Sequence, residues 1–391
     1  MMSGRSLLLG VVSLLVLTGC ATGIAGQARP GEIDTRTLET GNFSTVPPRL
    51  PGSLDRTGYL RLEAARLAGA VRSPHLVDPK YSVGVSAAAH TDAQSVSRYL
   101  DASAVPILEK FGFVVGFSTA SADKVIQPDK EGLAVTVLRF PDAVAAKSAA
   151  AEMDSADFAI SPENAPVRLP RFPDSVAHWR PSAPTLGSTT AHGVFTISIL
   201  ADARTTDLNR LVENTQKYLD VELPELDHFT PTPPAELPTL PQDPDHLLIR
   251  ALHNSTTVGP PDGQGEVVYT LPGYLNFVQD QAGRYPVLQR AGVDRVAVAA
   301  PTFVFRTADP AAAQRFVADS AALGDPAAKV PVDPPDGVPG SICLRDTTAV
   351  IEAQFRCFVS HGRYTALILG PRLWETQQRA AAQYALLANG A

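Results

Sequence analysis

Residues 134–153, AVTVLRFPDAVAAKSAAAEM, and residues 301–320, PTFVFRTADPAAAQRFVADS, decide the architecture, because they spell one pattern twice. In each, an apolar stretch ends on an arginine (Arg139, Arg306), an aspartate follows three residues on (Asp142, Asp309), and an alanine-rich run begins. β-Branched and aromatic residues before the aspartate predict a strand, and the alanines after it predict a helix. Each aspartate stands where a helix needs an acceptor for its unsatisfied first-turn donors. Pro310 occupies the first helical position, where its missing N–H is not required.

Two further matches extend the repeat. VPILEKFGF (105–113) parallels YPVLQRAGV (285–293), a helix ending on Gly112 or Gly292. AHGVFTISIL (191–200) parallels SHGRYTALIL (360–369), each with His-Gly, a variable residue, an aromatic, a threonine and an apolar run. His-Gly between extended stretches predicts a tight hairpin turn in which glycine takes a positive φ and histidine tolerates one. The competing reading makes His192 and His361 a pair of ligands or bases. Helical stretches follow at 207–219 and 375–387. Each half therefore reads helix, strand, strand, helix, hairpin, helix. That order predicts an α+β fold of two tandem ferredoxin-like repeats, antiparallel sheets with helices on one face, and a cleft at their interface.

FTPTPPAELPTLPQDPD (229–245) separates the copies, since prolines there lack donors and disfavour helix at the preceding residue. The predicted domains are thus 55–228 and 246–391, joined by a Pro-rich linker. Residues 20–54, with Gly and Pro among polar residues and no sustained period, read as a flexible tether. GPPDGQG (259–265) and VPVDPPDGVPG (330–340) read as mobile loops.

Ahead of the tether, LLVLTGCATG (14–23) closes a leader with Arg5 as its single charge and an apolar stretch from Leu7 to Leu17. That stretch is shorter than the roughly 20 residues a spanning helix needs, so residues 1–19 read as an export signal. Leu17-Thr18-Gly19-Cys20 resembles the lipobox of bacterial lipoproteins. The resemblance implies cleavage before Cys20, a diacylglyceryl thioether on its sulfur and acylation of the new amine. With the alanine- and arginine-rich composition and the two-copy body, the chain resembles lipoproteins of mycobacteria and related actinobacteria. That likeness implies anchorage on the outer face of the plasma membrane and supplies no active site.

Loss of Arg5 with the leader takes the formal charge from −7 to −8. No basic face is then available for nucleic acid, which is not expected as a partner. Beyond Cys20 the cysteines are Cys343 and Cys357, fourteen residues apart with strand-like flanks. In an exported protein they read as a disulfide; a metal pair or a catalytic thiol are the competing readings. No nucleophile elbow, P-loop, dinucleotide fingerprint, zincin motif or EF-hand spacing occurs, so neither cofactor nor metal is expected. Arg139 and Arg306 are candidates to grip an anion between the halves, or else to pair with nearby acids. Asp154, Asp157 and Glu163 read as a solvated face rather than a cation site.

Two functions stand after this reading. The first is a lipid-tethered, non-enzymatic binding module engaging an envelope protein or an apolar small molecule between its repeats. The second is an envelope enzyme of hydrolase type whose site gathers distant residues such as His192, His361 or Asp309.

Overall fold

Two seven-stranded sheets carry the chain, and one strand order describes both. The first comprises β1 (Val83–His90), β2 (Val115–Ala122), β3 (Gly132–Arg139), β4 (Ala165–Val167), β5 (Val176–Trp179), β6 (Thr185–His192) and β7 (Phe195–Asp202), in the order β1-β2-β3-β7-β6-β5-β4. The second comprises β8 (Val267–Thr270), β9 (Arg295–Ala299), β10 (Thr302–Arg306), β11 (Lys329–Val332), β12 (Ile342–Asp346), β13 (Phe355–His361) and β14 (Tyr364–Gly370). Its order is β8-β9-β10-β14-β13-β12-β11, the same topology position for position. Neighbouring strands are antiparallel throughout. The helices are α1 (Arg56–Ala70), α2 (Pro74–Val77), α3 (Ala93–Val96), α4 (Ala104–Lys110), α5 (Ala143–Phe158), α6 (Leu208–His228), α7 (Leu271–Leu275), α8 (Gln281–Arg290), α9 (Pro310–Ala322) and α10 (Leu373–Asn389). This computed structural model describes residues 33–124, 130–253 and 266–390. The leader, Cys20 and Gly259–Gly265 lie outside the described residues.

The repeated signals act as the sequence predicts. Asp142 accepts from Ala145 N–H at 2.8 Å and Asp309 from Ala312 N–H at 2.7 Å, capping α5 and α9. Gly112 and Gly292 follow α4 and α8 at φ +69° and +58°, the left-handed position that closes a helix. Gly193 (φ +54°) and Gly362 (φ +55°) open the two-residue hairpin turns, where a type II′ turn requires glycine. The histidines are not turn residues: His192 and His361 end their strands, paired to Phe195 and Tyr364. Within the same motif, the Thr196 hydroxyl donates to Ala146 C=O (2.9 Å) and the Thr365 hydroxyl to Ala313 C=O (3.2 Å), four residues past each capping aspartate. One hydroxyl therefore ties hairpin to helix in both copies.

The α+β class with antiparallel sheets is observed. Each sheet has seven strands, where the β-α-β-β-α-β ferredoxin-like plan supplies four. Helices on one face must be corrected to helices on both. Along β3, Val135 and Val137 join a core with Leu211 and Tyr218 of α6, while Leu138 joins Ala146 and Met153 of α5. Alternation along the strand sends these sets to opposite faces. In the second sheet Leu367 packs with Phe316 of α9, whereas His361, on the opposite face, meets the Tyr384 ring of α10. Strands apolar on both sides need covering on both sides.

One core runs through both repeats, joining Val137 and Ile197 of the first sheet to Val298 and Phe305 of the second. α1 lies between, and its polar seams are matched. The Asn276 side chain donates to Ala68 and Val71 C=O at the end of α1. The Gln281 side-chain oxygen accepts from the hydroxyls of Ser73 (3.1 Å) and Ser121 (3.0 Å). Gly84 is needed here, because a Cβ on it would lie 2.2 Å from Val278 O.

Two stretches read as loose are packed. From residue 35 the N-terminal stretch lies on α10: Leu38 is buried and Arg379 covers the Phe43 ring at 4.6 Å. Lys329–Val332, within the Pro- and Gly-rich loop, pairs with β12 as an edge strand. Cys343 and Cys357 face each other across β12 and β13 at disulfide distance.

Candidate functional site

A cavity of about 820 Å³ opens at the junction of the repeats. α1 contributes Leu62, Ala65 and Arg66, the linker contributes Phe229 to Pro233, Thr239 to Gln242, Pro244 and Asp245, and the second sheet contributes Val267, Val268, Thr270 and Arg295. Its size falls in the range of small-molecule and peptide sites.

The linker forms a wall because it is fastened at both ends, and the repeated arginines are the fastenings. At its start lies Glu63, with no solvent exposure. Its carboxylate accepts from Arg139 Nη1 (2.6 Å), from the Thr232 N–H and hydroxyl (2.9 Å each) and from Arg66. Arg139 also donates to Thr232 C=O, and Arg66 to Thr230 C=O at 3.1 Å, with its guanidinium over the Phe229 ring. At the linker's far end Asp245 accepts from Arg306 Nη1 (3.0 Å) and Arg295 Nε (2.9 Å). Arg306 grips Asp294 with two further bonds of 2.8 Å. Burial pushes the Asp294 carboxyl up, but these bonds bring it below the ordinary carboxylate range. Of the two readings for Arg139 and Arg306, the structure shows pairing with acids.

The histidines serve their own repeats. His192 Nε2 lies 2.7 Å from Asp227 of α6, and His361 stacks edge-on with Tyr384 of α10. Asp309 is occupied as a helix cap. None of the three lines the cavity. Among the described residues no group of three or more His, Cys, Asp and Glu is placed to hold a metal ion.

Sequence reading missed two features. Glu63 looks like an ordinary helix-surface acid, and its partners lie far along the chain. His178 is held between Asp154 on Nδ1 and Asp157 on Nε2, each at 3.3 Å, which raises its pKa to about 9. Two of the acids read as a solvated face are therefore a clasp on a histidine.

Fold and cleft together define a two-repeat α+β protein with a strapped groove between its copies. Two family models match it: the N-terminal domain of unknown function DUF7373 over residues 52–242, and its C-terminal counterpart over 247–390. The chain belongs to this family. No curated protein matches it. Among solved structures, the extracellular domain of PknH from Mycobacterium tuberculosis is similar at 10% identity, covering 35% of this chain and 77% of that one, with a TM-score of 0.25. A likeness that slight carries no argument about fold or function. No described helix is long and apolar enough to cross a membrane.

Proposed function

We propose that this chain is a non-enzymatic binding module of the cell envelope, held at the outer face of the plasma membrane by lipid on Cys20, which seats its ligand in the groove between its repeats. The ligand is a segment of an envelope protein or an apolar small molecule. One observation carries the reading: a cavity of about 820 Å³ stands where both repeats meet, walled by a linker held by a buried ion pair at one end and a half-buried one at the other. A linker serving only to connect needs no such fastening, whereas a preorganised wall lowers the ordering cost of binding. The lipobox resemblance supports the anchor, since two or more acyl chains make attachment durable.

Native mass spectrometry of the full chain in detergent, followed by organic extraction, tests the site. A retained species that is lost when Ala65→Trp fills the groove supports the reading. A bound species indifferent to that substitution places the ligand elsewhere and overturns it. Radiolabelled palmitate incorporated by the wild type and not by Cys20→Ala tests the anchor.

A further inference from the structure

We infer that one end of the second sheet rests on the bilayer, with Val350, Ile351 and Trp374 entering the outer leaflet; the inference rests on the Cys20 anchorage proposed above. The three are brought to that end by the register of β12, β13 and β14. Arg345 pairs with Phe355, and Phe355 with Gly370, so the β12–β13 connection and the first turn of α10 leave the sheet together. Val350 is 69% exposed, Ile351 65% and Trp374 57%. Among the described large apolar side chains, the others more than half exposed are Val46, Val144 and Ile160, which lie before the second sheet begins. Single exposed apolar residues are ordinary, whereas a group of them marks a surface that meets something.

The connection that carries Val350 and Ile351 is held in shape by polar bonds. The Asp346 carboxylate accepts from the Thr348 N–H (3.0 Å) and hydroxyl (2.7 Å) and pairs with Arg356 at 2.9 Å. The Asp346 N–H donates to Gln354 C=O (2.8 Å), and the Ala353 N–H to Val350 C=O (3.0 Å). These bonds close the loop without the side chains of Val350 or Ile351. The fold therefore gains nothing from apolar residues there.

Area decides the occupant. Three side chains cover a few hundred Å², short of the about 800 Å² per partner that a stable protein interface buries. A bilayer asks for no complementary surface, and lipid on Cys20 already holds the chain beside one, so a small patch suffices. Tryptophan suits that boundary, with an apolar ring and an N–H for the headgroups. The reach is sufficient. Thr35, fifteen residues after Cys20, bonds to Asn389 at the far end of α10. Fifteen residues span at most roughly 50 Å, and the 17 residues of α10 rise about 25 Å, so Trp374 can touch while Thr35 stands off. Charge adds little, since Arg345, Arg372 and Glu352 are exposed together and Glu375 is bound to Arg379 at 2.9 Å. The contact is apolar and therefore insensitive to salt.

The test reconstitutes the lipid-modified full chain into phosphatidylcholine vesicles, with and without bromine on the acyl chains, and compares its tryptophan emission with that of Trp374→Phe. The difference isolates Trp374 from Trp179, the other tryptophan. Expected is a Trp374 signal cut at least twofold by brominated lipid, shielded from aqueous acrylamide and unchanged by molar salt. Val350→Glu combined with Ile351→Glu is expected to return Trp374 to acrylamide while the chain still floats with the vesicles. Both positions are exposed, and an equal melting temperature checks that the variant is folded. A wild type that floats yet leaves Trp374 open to acrylamide overturns the contact and keeps the anchor. Shielding from both quenchers reveals a protein cover and overturns the bilayer as occupant. A chain that does not float overturns the anchor and the inference with it.

Discussion

With no exposure to solvent, Glu63 must be matched inside the protein, and two guanidiniums and both donors of Thr232 surround it. Removing one member of a buried ionic cluster strands the others, a loss that ordinarily runs to about 3–5 kcal/mol. Glu63→Ala is expected to lose stability on that scale in urea denaturation, and to speed proteolysis within 229–245 where the same change elsewhere on α1's exposed face does not. His178 supplies a pH signature. Its pKa stands raised from 6.5 to about 9 by the hydrogen bonds to Asp154 and Asp157. A group with a raised folded pKa contributes stability that is fully present below the unfolded value and is lost as pH climbs through the folded one. The melting-temperature gap between wild type and His178→Gln should therefore be widest below pH 6.5, shrink as pH rises towards about 9, and close above it. A gap that widens across that range contradicts the clasp.

At the level of elements, duplication makes a symmetrical prediction. Asp142→Ala and Asp309→Ala each remove the side-chain acceptor of an equivalent helix, and each is expected to cost about 1 kcal/mol by chemical denaturation. The double variant should lose their sum, because the caps share no contact. These elements were legible in the sequence because strand, capping aspartate and helix lie within twenty residues and each signal is local. Elsewhere the determining partner is distant. Lys329–Val332 contains Pro331 and reads as loop until β12 supplies its ladder. Glu63 finds Arg139 and Thr232 at separations of 76 and 169 residues, which no local pattern encodes. His-Gly reads locally as a turn in which both residues take part, but the turn uses only glycine and its successor, and the histidine belongs to the strand. Helices on both faces were hidden because β3 carries the small residues Ala134 and Thr136 on its second face, too little apolar bulk to announce a covering helix.

Taken as a whole, the molecule has one main core that runs through both repeats, and Thr35–Ala391 forms one compact unit. Heat unfolding is expected to be a single transition with equal calorimetric and van't Hoff enthalpies, and residues 246–391 expressed alone should expose Val267, Val298 and Phe305 and bind a hydrophobic dye. Two separated transitions would show that the copies are independent. The way the copies meet has a further consequence. The first turns to the junction the face that bears α6, and the second the face that bears α9, so unlike surfaces meet. Head-to-tail contacts of this kind leave a free surface at each end and, unless those surfaces are altered, polymerise into filaments. Both ends are altered here. Where the second copy has Val298, Phe303 and Leu367, the matching register of the first has Ser118, Thr136 and Ser198. At the opposite end, Leu38 and Phe43 close over α10. The duplication stops at two units: at one end the apolar register gives way to hydroxyls, two of them buried in a chain of hydrogen bonds with His90, and at the other a strip of N-terminal chain lies over the last helix.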